Sequence, residues 1–244
     1  MGQYWKPIIL DDDGEVIAWA YTHDYKETYT RDDGSQYTCG HGLKLLEHGY
    51  LDNDFVRAFE RLLIPDGEHY GKRVVWAGDY AEEEPGSKAN LWALARDEDD
   101  YEVQQGIRRN TKINLVRRPV SKTTYPYILN FDKKLFIDKR NVKGGAYWSD
   151  GEVWPLHPLT FMTLDRSSLG HGGGDLYEEN ASGASWPDVG SWSRDHIGVD
   201  KVVPEGFTEY VFDLSENAPN EEETKQLTAA APLDLFEPDV KQLT

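Results

Sequence analysis

The stretch Lys6-Pro7-Ile8-Ile9-Leu10-Asp11-Asp12-Asp13-Gly14-Glu15-Val16-Ile17-Ala18-Trp19-Ala20-Tyr21 decides how this chain is read. Residues 6–10 and 15–21 are rich in β-branched, aromatic and other apolar side chains, and they flank an Asp-Gly pair. Asp-Gly between two apolar runs is a strong hairpin signal, because glycine accepts the positive φ that a tight turn needs. Within 16–21, Val16, Ala18 and Ala20 alternate with Ile17, Trp19 and Tyr21. Both faces are therefore apolar, which places this strand inside a sheet rather than at its rim.

A similar hairpin recurs in the second half. Residues 127–130 and 135–137 flank Phe131-Asp132-Lys133-Lys134, and Ile9-Leu10-Asp11-Asp12-Asp13 aligns with Ile128-Leu129-Asn130-Phe131-Asp132. Further on, Trp76-Ala77-Gly78-Asp79-Tyr80 aligns with Trp192-Ser193-Arg194-Asp195-His196. A second register matches Arg73-Val74-Val75-Trp76 to His196-Ile197-Gly198-Val199. Two anchors suggest either one α+β unit used twice or chance agreement of short aromatic-rich segments. The expected fold is α+β, with antiparallel sheets and few helices, in two similar halves. The divisions are 1–105, a basic connector at 106–124, a second unit at 125–214 and a flexible acidic tail at 215–244.

The remaining elements follow from periodicity. Phe55, Val56, Phe59, Leu62 and Leu63 share one helical face, so residues 53–63 predict a helix capped by Asn53 or Asp52 and stopped by Pro65-Asp66-Gly67. Residues 73–77 predict a buried strand, 24–40 a polar hairpin and 89–96 a short helix. Residues 195–199 and 208–212 predict the last strands.

Net charge is −18, yet residues 107–144 hold eleven Lys/Arg against two acids, a net +9, leaving −27 on the rest. The basic stretch reads as a solvated connector and hairpin, or as a docking surface for an anion through residues such as Arg117 and Arg118. The acidic remainder disfavours wrapping a nucleic-acid duplex, so nucleic acid is a weak candidate partner. No run of 18 apolar residues exists, so no membrane partner is expected. The single Cys39 and the lack of a signal-peptide pattern point to the cytoplasm.

The best candidate site is Gly170-His171-Gly172-Gly173-Gly174-Asp175. Gly172, Gly173 and Gly174 can present consecutive backbone N–H groups to an anion. The alternative is a tight connection whose glycines only supply positive φ. His171, Asp175, Asp195 and His196 are the weak catalytic candidates. No Walker loop and no dinucleotide fingerprint is present. The separations of His157, His171, His196, Asp175 and Asp195 match no compact metal motif, so neither metal nor cofactor is expected. His157 reads as a packed histidine at a strand edge. Cys39-Gly40-His41 reads as accidental rather than as a nucleophile pair. In the tail, Pro232-Leu233-Asp234-Leu235-Phe236 resembles the pentapeptide by which bacterial replication proteins dock on the sliding clamp. Leu233, Leu235 and Phe236 would be its anchors, with proline where the glutamine stands.

The opening Met1-Gly2-Gln3-Tyr4-Trp5-Lys6, the stretches 42–48 and 75–81, and Gly172-Gly173-Gly174-Asp175-Leu176 together resemble an uncharacterised family. Its members are small cytosolic proteins of bacteria, phages and prophages. The resemblance covers most of residues 1–213. It implies no activity and no catalytic residues. It implies a context: accessory proteins of mobile elements that bind a host factor, such as a defence protein, or a signalling nucleotide. The leading expectation is therefore a non-enzymatic binding or inhibitory protein. The rivals are a phosphoester or nucleotide hydrolase and a nucleic-acid accessory protein tethered to the clamp.

Overall fold

The computed structural model describes residues 3–31, 33–96, 110–147, 153–166 and 188–215. In chain order the strands are β1 Trp5–Leu10, β2 Val16–Trp19, β3 Lys26–Thr30, β4 Gln36–Gly40, β5 Lys72–Gly78, β6 Thr111–Lys112, β7 Tyr127–Asn130, β8 Leu135–Asp138, β9 Ala146–Tyr147, β10 Val153–Trp154, β11 His196–Asp200 and β12 Thr208–Glu209. The helices are α1 Leu45–His48, α2 Asp54–Glu60, α3 Leu91–Leu94 and α4 Pro158–Met162. The fold is α+β, built on an eight-stranded, mostly antiparallel sheet.

The strand order is β12-β8-β7-β11-β5-β1-β2-β6. Read outward from its middle, it is one arrangement used twice. In each half a hairpin (β1–β2, β7–β8) takes a later strand antiparallel to its first member (β5, β11). Each half then takes a two-residue strand parallel to its second member (β6, β12). The halves meet where β5 and β11 pair antiparallel, with Arg73 opposite His196 and Lys72 opposite Ile197. Of the two alignments of the second anchor, the one setting residues 73–76 on 196–199 lies strand on strand. The other sets Trp76 on Trp192, which stands in the turn before β11.

Beyond Arg73 the edge of β5 is completed by other parts of the second half. Val74 accepts from Arg194 N–H and donates to the Asp195 carbonyl. Trp76 donates to the Thr163 carbonyl at 2.7 Å and accepts from Asp165 N–H at 2.8 Å. The central strand thus has its backbone groups satisfied, as burial requires.

One face of the sheet carries the larger core. Ile9, Val74, Trp76, Ile128, Ile137, Ile197 and Val199 pack there against Phe55, Val56 and Phe59 of α2 and Leu159, Phe161 and Met162 of α4. Trp76 sits at its centre, with Phe59 edge-on at 5.4 Å between ring centroids and its indole N–H donating to His48 Nε2 at 3.0 Å. Helix α2 forms where its apolar spacing predicts it, and the Asn53 side chain accepts from the N–H groups of Phe55 and Val56.

The second face carries a smaller cluster, with Ile8, Leu10, Val16, Trp19, Val75 and Ala77 under Leu91 and Ala95. Lys6 fastens this layer. Its ammonium donates to the Ala95 carbonyl and lies 4.5 Å from the Trp19 ring centre and 4.4 Å from that of Trp92. Two aromatic faces thus compensate a buried charge that would otherwise be costly.

Some expected bounds shift. The helix expected over 89–96 is the single turn α3, because Asn90 caps its start and the Ala95 backbone has left the helical region. The basic stretch 106–124 supplies β6 at the sheet rim. His157 is not at a strand edge: it caps α4, accepting from Leu159 N–H, and is wholly buried. The acidic tail beyond residue 215 lies outside the described residues.

Candidate binding site beside the junction of the two halves

Alternation along β5 and β11 places Arg73 and His196 on the second face, where the turns of both hairpins converge. His196 is held between two carboxylates. Its backbone N–H donates to Asp132 Oδ2 at 2.8 Å, and its ring Nδ1 is 2.9 Å from Asp132 Oδ1. Its Nε2 is 3.4 Å from Asp12 Oδ1. Asp132 belongs to the second hairpin turn and Asp12 to the first, so one imidazole ties both halves. Partial burial pushes the Asp132 carboxyl up, but the His196 backbone and side-chain hydrogen bonds outweigh it and hold the group below its ordinary range. Asp195 accepts from Asn130 Nδ2 at 2.7 Å and pairs with Lys133.

Next to this seam Arg194 takes a φ of +66°, a region that non-glycine residues rarely occupy. The turn sends its side chain to Glu84, with Nη1 and Nη2 donating to the two carboxylate oxygens at 2.8 and 2.6 Å. Asp165 stands 3.7 Å away. The hydrogen bonds to Glu84 raise the guanidinium pKa further. A fork-to-fork pair of this kind fixes both partners in space.

The Arg194–Glu84 pair lies in the wall of a cavity of about 850 Å³. Val16, Leu91 and Leu94 form its apolar side, and Asp13 and Glu15 stand on its rim from the first hairpin turn. Asn110 also lines it, accepting from the Trp19 indole N–H at 3.0 Å and donating to the Leu94 carbonyl at 2.9 Å. The loop bearing Glu84 is set by its own hydrogen bonds, Glu84 N–H to the Ala89 carbonyl and Ser87 N–H to the Glu84 carbonyl.

Of the residues singled out in the sequence, Asp195 and His196 meet in the seam. His171, Gly172, Gly173, Gly174 and Asp175 lie outside the described residues, as do Leu233, Leu235 and Phe236. Arg117 and Arg118 are exposed in the stretch after β6. Neighbouring Lys112 and Lys122 are paired with Asp24 and Asp52. Among the described residues no group of three or more His, Cys, Asp or Glu is placed to hold a metal ion. Sequence reasoning missed Arg194, Glu84 and Asn110. The run Glu82-Glu83-Glu84-Pro85-Gly86 is the one trace in the sequence, since Arg194 and Glu84 meet only through the fold.

A scan against family models and searches of curated proteins and solved structures found no match. No helix among the described residues is long and apolar enough to cross a membrane.

Proposed function

We propose that this chain is a non-enzymatic binding protein that docks on a partner protein through the second face of its first half. The observation that carries this reading is the cavity beside the Arg194–Glu84 pair, with apolar sides and an acidic rim. Concave sites with apolar lining and a few fixed polar groups are where proteins bind other molecules. Partner recognition needs roughly 800 Å² per side, so the cavity would be one part of a larger contact. In line with the family resemblance, the partner is a host protein, a defence factor among the candidates, and the chain acts in the cytoplasm as an accessory protein of phage or prophage type.

Two observations favour a protein over a nucleotide or a hydrolysed phosphoester. The arginine at the cavity is already committed to Glu84, and the rim adds acids rather than cations. His196 is held in the seam by Asp132 and Asp12 and is not among the residues that line the cavity. The test is capture from host lysate on the immobilised chain, with the Asp13→Lys/Glu15→Lys variant in parallel and calorimetry against nucleotides. A protein retained by the natural chain and lost on the variant supports the reading. Equal retention on both, or micromolar nucleotide binding with nothing retained, contradicts it.

A further inference from the structure

Tyr70 stands just ahead of β5 and Arg194 just ahead of β11. Each reaches across the junction toward the hairpin turn of the other half. In the second half that place is filled. The Tyr70 ring meets Phe131 edge-on at 5.5 Å, and Phe131 meets Phe207 at 5.9 Å. Gly198 lies beneath them, where an added Cβ would stand 2.8 Å from both the Tyr70 and Phe131 rings. The Tyr70 hydroxyl donates to Asp200 at 2.8 Å. On the first half Arg194 reaches Glu84 instead, and the two border the cavity.

From the charge and lining of this cavity we propose that it seats a basic side chain, arginine or lysine, of the partner protein. The proposal deepens the binding reading and rests on it. Arg194 is neutralised by Glu84, with Asp165 a further acid nearby, so the Asp13 and Glu15 carboxylates leave the recess net negative. Val16, Leu91 and Leu94 offer an apolar wall for the methylene stem that such a side chain carries behind its charged head. A guanidinium or ammonium at the rim would make charge-assisted hydrogen bonds to Asp13 and Glu15. An anionic group would meet these carboxylates at close range, and the cationic side chain in the wall, Arg194, is already held by Glu84.

The test is a titration of the isotopically labelled full chain with N-acetyl-arginine amide, with N-acetyl-glutamine amide and adenosine monophosphate as comparison probes. Amide resonances of Gly14, Gly86 and Ser87 report on the rim. The arginine probe is expected to shift them, with the glutamine probe at least tenfold weaker by apparent dissociation constant. Asp13→Asn/Glu15→Gln is expected to weaken the arginine response by on the order of tenfold. Both positions are exposed, so the variant keeps its fold. Equal responses to the arginine and glutamine probes, a stronger response to the nucleotide, or no response at these amides overturns the proposal. If lysate capture succeeds while the arginine probe is silent, the seat is refuted and the binding reading stands. If the probe binds and no partner is captured, the binding reading falls instead.

Discussion

Lys139 Nζ and Glu60 Oε1 meet at 2.6 Å with both side chains essentially out of solvent. Glu60 ends α2 in the first half, and Lys139 opens the short 3-10 turn after β8 in the second. The pair is therefore a bolt through the helix side of the sheet, at a distance from the seam around His196. His157 Nε2 lies 3.5 Å from the same carboxylate oxygen. Burial drives the Glu60 pKa up and the Lys139 pKa down, and each opposite charge works against that drift. Taking one partner away leaves a buried charge without compensation, which typically costs about 3–5 kcal/mol.

Glu60→Met and Lys139→Met, each alone, are thus expected to lower the unfolding free energy by about 3–5 kcal/mol at neutral pH. The double variant Glu60→Met/Lys139→Met is expected to recover most of that loss, because apolar packing replaces two desolvated ions. Urea unfolding of the four chains measures it. A double variant as unstable as the sum of the singles would show that the pair is not the unit that matters.

Stability is expected to fall as pH drops below about 6.5. His48 is wholly buried, and burial takes its pKa from 6.5 down to about 3, with the hydrogen bond to the Gly42 carbonyl opposing weakly. His157 is likewise pushed down by burial and by the nearby Lys139 charge. The folded chain keeps both imidazoles neutral, while the unfolded chain protonates them near the ordinary value. Their contribution is fully present above pH 6.5 and is lost progressively as pH falls, for His48 down to about 3. Each group adds a slope of up to about 1.4 kcal/mol per pH unit once the unfolded form is protonated. Unfolding midpoints at pH 7.5, 6 and 5 test this, and His48→Gln should flatten the trend. An unchanged midpoint across that range would contradict neutral burial.

Gly198→Ala is expected to destabilise the second half. The new methyl would press on the Tyr70 and Phe131 rings at 2.8 Å, closer than carbon atoms pack. Overpacking of this sort costs about 1–3 kcal/mol. A fall in thermal midpoint, with partner capture retained, is the predicted result. Loss of capture without loss of stability would place the binding surface in the second half instead.

What the sequence made legible was local. The Asp-Gly turn, the 3.6-residue spacing around Phe55 and Phe59, and the apolar run at 73–77 each carry their structure within a few residues. The repeated hairpin was visible too, because Ile9 and Ile128 face the same core. The pairing of the halves was not, since it rests on Arg73 meeting His196 and on Trp76 borrowing backbone partners from residues 163 and 165. The site was hidden for the same reason. Arg194 became a wall of the cavity through a positive φ and a partner 110 positions earlier, neither of which leaves a motif. Asp195 and His196 stood out by residue type alone, and their contacts place both in the seam between the halves.

The most direct measurement is hydrogen–deuterium exchange of the full chain, alone and saturated with its captured partner. Docking through the second face of the first half predicts slowed exchange in residues 11–15 and 82–87, with the strands of the second half unchanged. Protection confined to residues 110–124, or to the turn at 131–134, would contradict it.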